Sequence, residues 1–539
     1  MNDSTASDID RLIPENLNPV QRAYTRRTIL RASAMVGLAG VSASFLAACS
    51  PQSGGGATPA PDGGGGEIKP GGILRYGVAS GDPGDVLDPH YPLTGFATWA
   101  GMALYEPLTW TNDDFEFEQV LTESWTPNDD ATEWTMKLKP GVVFHDGKPV
   151  TAADVVFTVN RILDPDGGAI AAGNFSMVDS MEVVDDQTLL WKLNAPTGWF
   201  PISVGDGGAM GVVPDGFDVN NPVSTGPFKF KSFTPGSETI WERFDDYHGT
   251  PAIVDEFHAI ALPDNDARVN ALIAGQVDAI QNVPAASIAQ LNGDGAHTVD
   301  VLESGQFMVL TMRVDQGVTA DVDVRQAVRM AVDREQILNI IYGGNGEIAN
   351  DLYGRWDPAF DDSLVRDHDV EGAKALIAKA GAAGKEFVIS TPAQYKDTCQ
   401  IIAESANEIG LNASVDVLDD TSFYQKYTEW DIATDWYPST TILTTAAMSD
   451  GPGAFLNQTH FDDAEYNDLF VQASSAIEDA DRVEPLKKMQ RILFDRGGYL
   501  IAVWEKTLNA RALNTAGWPT ADRSGFGVFR AFGRVGFTS

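Results

Sequence analysis

Residues 134–163 read WTMKLKPGVVFHDGKPVTAADVVFTVNRIL. The first six alternate apolar and polar side chains, which predicts a half-buried strand over Trp134–Lys139. Phe144-His145-Asp146-Gly147 follows. An Asp-Gly pair marks a tight turn, so His145 reads as structural rather than catalytic. Thr151 stands three residues before Asp154, a capping box with Asp in place of Glu. Val155, Val159 and Ile162 then fall at i, i+4 and i+7, the stripe of a helix with one buried face.

The same reasoning extends outward. Gly71-Gly72 opens a strand over Ile73–Val78, and Met181–Asn194 reads as a hairpin turning at Asp185-Asp186. A helix starts near Asp264, carries Val269, Leu272 and Ile273, and stops at Gly275. Two helices follow in tandem. Val324, Ala327, Val328 and Ala331 stripe the first. Asp333 caps the second, which holds Ile337, Leu338 and Ile341 and ends at Gly343-Gly344. Glu386–Thr391 is an apolar strand, Thr398–Ile409 a helix stopped by Gly410, and Ala413–Leu418 another strand. That order predicts a parallel pair with a right-handed crossover. A helix over Val483–Phe494 carries Leu486, Met489 and Leu493, and Leu500–Trp504 reads as a last buried strand. No internal repeat is visible. The body is α/β to α+β, in more than one domain.

Composition agrees. The chain has 539 residues, a length for two or three domains, and 43% hydrophobic residues supply real cores. Its 76 acidic residues against 37 basic ones give a net charge of −39, spread along the chain. No basic patch offers itself to phosphate, so nucleic acid is not an expected partner. A solvated, soluble surface is the plain reading. Cys49 and Cys399 are the only cysteines, which excludes a disulfide scaffold and Cys-based zinc clusters. Cys399 reads as a small core residue. G-x-S-x-G, H-E-x-x-H, Walker-type and G-x-G-x-x-G motifs are absent, no run matches a calcium loop, and the seven histidines lack metal-ligand spacing. The expectation is no catalytic residue, no metal, no cofactor and no enzyme activity.

The beginning of the chain reads as an address. Arg26-Arg27, between Thr25 and Thr28, resembles a twin-arginine export signal. Ala32–Ala48 follows, 17 uncharged and mostly small residues, and Leu46-Ala47-Ala48-Cys49 resembles a bacterial lipobox. Residues 1–48 are thus expected to be an export signal. A lipid on Cys49 would anchor the exported protein at the outer face of the cytoplasmic membrane, on the cell surface or in the periplasm. Residues 49–70, rich in Gly, Pro and Ser, would form a flexible tether reaching ~25 Å. No other segment is long and apolar enough to span a membrane.

Several stretches together resemble the solute-binding lipoproteins of bacterial ABC importers, family 5, whose members bind oligopeptides, dipeptides or nickel. They are Gly71-Gly72-Ile73-Leu74-Arg75, Leu87-Asp88-Pro89, Tyr105-Glu106-Pro107-Leu108, Glu123-Ser124-Trp125 and, most specifically, 134–163. Gly226-Pro227-Phe228, Asp245-Asp246-Tyr247-His248-Gly249, ARVNALIAGQVDAI from Ala267 and VRQAVRMAVDREQI from Val324 continue the series. The resemblance implies a two-lobed α/β fold like that of periplasmic binding proteins, with an additional α+β domain and a ligand cleft between the lobes. Lobe I would comprise 71–105, 222–305 and 500–539, the extra domain 106–221, and lobe II 306–499. The protein would be a monomer that closes over a solute and presents it to an ABC permease with its ATPase subunits.

Peptide-binding members place an Asp three residues after a second-lobe Trp, where it pairs with the peptide's amine. Here Trp436 is followed at that spacing by Ser439, a neutral hydroxyl. Asp435 would face away from Trp436 by strand alternation. The expected ligand-binding residues are Tyr91, Arg355, Trp356, Trp436, Tyr437, Ser439 and Thr440, with Arg355 suited to a carboxylate; Trp99 reads as core. An oligopeptide or peptide-like solute is the leading ligand. A metal–chelate or oligosaccharide is the alternative, and a tethered secreted hydrolase ranks last.

Overall fold

The computed structural model describes residues 67–538, apart from 92–95, 97–100, 168, 206–209 and 455. Arg26, Arg27, Cys49, the export signal, most of the tether and Trp99 lie outside the described residues.

The 134–163 stretch folds as its pattern dictates. The strand Glu133–Leu138 buries Trp134, Met136 and Leu138. The helix Ala152–Ile162 follows, with Val155, Val159 and Ile162 fully inside. The Asp154 carboxylate accepts from the Thr151 amide (2.9 Å) and hydroxyl (2.6 Å), fixing the helix start. The strands Thr122–Pro127, Glu133–Leu138, Thr188–Leu193 and Val178–Asp185 form an antiparallel sheet in that order. The predicted hairpin is its last pair. With the helix this sheet encloses a separate core around Trp191, Phe144 and Phe200. It forms an α+β domain inserted between the strands Ile73–Val78 and Phe228–Thr234.

The main sheet runs through both lobes. Its order is Asn412–Leu418, Glu386–Pro392, Ile432–Tyr437, His297–Met312, Val503–Ala512, Ala279–Ile280, Ile73–Val78, Glu256–Ala261, Glu238–Arg243, Phe228–Thr234. His297–Met312 and Val503–Ala512 cross from one lobe to the other as an antiparallel pair. Their register runs from His297↔Ala512 to Gln306↔Glu505 and shifts between Leu302 and Gln306. Glu386–Pro392 and Asn412–Leu418 pair in parallel across the helix Lys396–Glu408, as the strand–helix–strand order predicts. Cys399 on that helix is fully buried, and burial pushes its thiol up to about 12. The helix Asn265–Ile273 starts at its Asp264 cap, and Gly275 follows it at φ +67. Asp333 likewise caps the helix Arg334–Ile340.

One element differs from expectation. Leu500–Trp504 is buried but not one strand. Tyr499–Leu500 pairs with Thr311 and Leu310, and the strand resumes at Val503. In between, the backbone bonds to the 349–351 loop. The Ala349 amide donates to Ala502 O (3.0 Å) and the Asp351 amide to Ile501 O (3.2 Å). The Ile501 amide donates to the Asp351 carboxylate (3.3 Å).

In the first lobe, Ile73–Val78 is parallel to Ala279–Ile280, which is antiparallel to Val503–Ala512. In the second, Ile432–Tyr437 is antiparallel to His297–Met312. The carboxyl ends of both sets of parallel strands therefore face each other across the crossing pair. Open α/β sheets bind ligands at such carboxyl ends.

Candidate functional site at the lobe crossing

The site forms where Ile432–Tyr437 ends beside the crossing strands. Trp436 lies opposite Met308. On the same face stands Glu505, paired with Gln306. The Glu505 carboxylate accepts hydrogen bonds from the Trp436 side chain and the Met308 amide, and from the Tyr342 hydroxyl at 2.9 Å. Burial raises the pKa of this carboxyl. Trp436 is thus held in place from the hinge. Asp435 points the other way, as strand alternation requires. It accepts from the Tyr427 hydroxyl and the Trp436 amide (2.8 Å), and burial pushes it up to about 6.

Trp356 marks the opposite face of the crossing. The Arg355 guanidinium stands 4.9 Å from its ring and the first-lobe Arg523 guanidinium 4.4 Å. Its indole N–H is buried with no hydrogen-bond partner. Arg523 also pairs with Glu303, with Nε–Oε2 at 3.0 Å. Arg355 makes only long contacts with Glu347, 3.3–3.4 Å. Ser439 is 2% exposed and packs against Gly305 of the crossing strand. A Cβ at Gly305 would lie 2.6 Å from Ser439 Oγ and 3.1 Å from Trp356 Cδ1, so only glycine lets these two approach. Gly525 of the first lobe also closes on Ser439, 3.4 Å from Cβ position to backbone N.

The structure therefore brings Arg355, Trp356 and Ser439 together. Trp436 lies on the other face of the sheet. Tyr437 is 4% exposed and stacks on Phe307 (5.7 Å, 16°), within the second-lobe aromatic core. Thr440 is buried and shares a hydrogen bond with the Thr445 hydroxyl (2.7 Å).

Tyr91 sits elsewhere, at the joint between the first lobe and the inserted domain. Its hydroxyl donates to Arg161 O, and the Arg161 guanidinium lies 4.7 Å from its ring. Arg161 is ion-paired with Asp88 and donates to His90 Nδ1 (2.6 Å), while His90 Nε2–H donates to Gly211 O (2.8 Å). Burial, more than the nearby Arg161 charge, holds His90 down to about 4.

Sequence reasoning missed Glu505, Arg523, Gly305 and Gly525. Glu505 had a faint signal, a carboxylate directly after a buried apolar run; Arg523 had none. His145 spends both ring nitrogens on backbone, Nε2 to Gly226 O (3.0 Å) and Nδ1 from the Ser224 amide (3.2 Å). Among the described residues no His/Cys/Asp/Glu cluster is arranged for a metal, and no helix is long and apolar enough to cross a membrane. A cavity of about 480 Å³ opens between the helices Arg334–Ile340 and Lys396–Glu408, lined by Gln336, Gln394, Asp397 and Glu404. None of the predicted ligand-binding residues lines it.

The profile of bacterial extracellular solute-binding proteins, family 5 Middle, matches residues 116–458. The chain belongs to this family and has its two-lobed fold. It is 26% identical over 430 residues to the oligopeptide-binding protein AppA of Bacillus subtilis strain 168, covering 72% of this chain and 78% of that one. It is 23% identical over 478 residues to the glutathione-binding protein GsiB of Pectobacterium atrosepticum, covering 82% and 90%. Among solved structures, the binding protein AgaA of A. tumefaciens R10 with agropinic acid superposes at a TM-score of 0.75 with 27% identity, covering 87% and 99%. Members of the family work outside the cytoplasm.

Proposed function

We propose that this protein captures an oligopeptide or peptide-like solute between its lobes and delivers it to an ABC permease and its ATPase subunits when the lobes close. The observation that carries this is the meeting of both lobes at one point. Trp356 and Ser439 of the second lobe face Arg523 and Gly525 of the first, beside the two crossing strands. A solute that touches both sides stabilises the closed form. The names of AppA and GsiB supply the ligand class.

In this reading Arg355, Trp356 and Ser439 wall the cleft on one face of the crossing strands and Trp436 on the other, Tyr437 and Thr440 back it from the second-lobe core, and Tyr91 stands at the joint of the first lobe and the insert. We divide the chain into lobe I (71–105, 222–305 and the C-terminal part), the insert (106–221) and lobe II (306–499). Since Leu500–Trp504 packs with second-lobe residues, we move the return to lobe I to about residue 505. We further read residues 1–48 as a twin-arginine signal and Cys49 as the lipidation site of a monomeric, membrane-anchored receptor.

Ser439 favours a second reading. It is neutral where the family resemblance puts an Asp in peptide-binding members, and two cations, Arg355 and Arg523, flank the neighbouring Trp356. That chemistry suits a solute without a free amine, such as a metal–chelate or an oligosaccharide. Native mass spectrometry of the purified protein, before and after denaturation, tests both. A released peptide supports the first reading and a chelate or sugar the second. A bare chain that also ignores a thermal-shift panel of all three classes counts against solute capture.

A further inference from the structure

The inserted domain reaches the second lobe through Ala195-Pro196-Thr197-Gly198-Trp199. The base of this loop is fixed to its own domain. The Thr197 amide donates to Ala131 O (3.0 Å), and the Trp134 indole N–H donates to Thr197 O (3.0 Å). The tip engages the second lobe. The Gly198 amide donates to Ser474 O (2.7 Å), at the end of the helix Ala464–Ser475. Gly198 O accepts from Arg482 (2.9 Å), on the helix Asp479–Arg496. Arg482 is 7% exposed and also gathers Ala476 O and Ile477 O. The packing is reciprocal. Trp199 is 4% exposed inside the second-lobe aromatic core, while Ile477 packs against the core of the inserted domain.

We propose that this loop is a closure latch, a contact between insert and second lobe that holds the lobes shut without touching the solute. The proposal rests on the solute-binding reading only for the meaning of closure. The crossing strands, whose register shifts between Leu302 and Gln306, are the connection about which the lobes would turn, and the 195–199 loop is no part of them. Opening must therefore pull Gly198 from Ser474 or tear the insert from the first lobe. The second route breaks the Arg161–Asp88 ion pair and exposes its buried partners. The latch parts instead, because no buried ion pair joins the two bodies there: its polar groups across the contact are backbone amide and carbonyl plus one guanidinium, and the apolar burial given up is that of Trp199 and Ile477. Gly198 sets the fit. A Cβ there would lie 1.9 Å from Ala476 O, so any side chain blocks docking. Gly198 has no positive φ, so alanine costs the loop nothing intrinsic.

The test is a spin-label distance measurement on the full chain without added solute. Labels go on Val183→Cys in the insert and Val471→Cys in the second lobe, both exposed, in a Cys49→Ser background. Gly198→Ala is expected to shift the distance distribution to longer values and broaden it. Arg482→Gln should shift it less, and carries the test if Gly198→Ala fails to fold by circular dichroism. Distributions superimposable on the parent's in the folded variants overturn the latch. Failure of the solute-binding reading is read separately, by native mass spectrometry, and leaves these distances unchanged.

Discussion

The inserted domain meets its two neighbours in different chemical terms. Against the first lobe it uses buried charge. Arg161 pairs with Asp88 and His90, and Glu106, 3% exposed, accepts from Thr225 (2.9 Å), Tyr247 (2.6 Å) and His248 (2.8 Å). Against the second lobe it uses Gly198 backbone, one arginine and the Trp199 ring. Stripping one member from a buried charge cluster leaves its partner desolvated and alone. Separating backbone groups at a domain edge returns them to water at small net cost. One domain is thereby welded to one lobe and detachable from the other.

Breaking the weld should have the largest effect. Arg161→Ala leaves Asp88, 8% exposed, without its cation, and should cost about 3 kcal/mol in chemical denaturation. A loss comparable with that of a surface arginine would show that the joint is not held by charge.

Acid should attack the same joint next. His90 and His145 are held down to about 4 by burial, against 6.5 unfolded. The folded state thus binds fewer protons than the unfolded one between these values. The histidines' contribution is complete above pH 6.5 and is lost as pH falls towards 4, up to about 3 kcal/mol each. Melting temperature followed over that window should drop, and His90→Asn should flatten the slope. The Gly198 contacts to Ser474 and Arg482 are made by backbone groups and a guanidinium, so spin-label distances should hold while the chain remains folded.

Trp436→Ala separates the site from both joints. It should weaken solute affinity by about 1–3 kcal/mol by calorimetry once a solute is in hand, with the spin-label distances of the free protein unchanged. Unchanged affinity would remove Trp436 from the cleft. The smallest effect is expected of Arg482→Lys. The ammonium keeps the charge but cannot span three carbonyls, and the closed form should lose about 1 kcal/mol.

Local order was legible in the sequence. The Thr151–Asp154 cap, the Val155–Val159–Ile162 stripe, the Asp185 turn and the parallel pair flanking Lys396–Glu408 all follow from neighbours a few residues apart. The crossing strands were not. His297–Met312 and Val503–Ala512 carry Asp300, Glu303, Glu505 and Arg511 because they pass between bodies rather than through one core, so their apolar pattern is broken. The site suffered in the same way. Ser439 and Trp356 meet across Gly305, and Trp436 is fixed by Glu505, partners more than 50 residues away in the chain. No local signal reveals that Arg161, 70 residues on, stacks against Tyr91.

The strand Ile68–Lys69 pairs with Gly536–Thr538. The first described strand of the body is therefore completed by the last, and Ile73–Val78 lies two strands from Val503–Ala512 in the main sheet. During synthesis the insert, built from contiguous residues, can fold while lobe I waits for more than 300 further residues. Lobe I is thus assembled last although its chain is made first. Any step that requires the finished fold must therefore wait until residues 536–538 are free to pair with Ile68–Lys69.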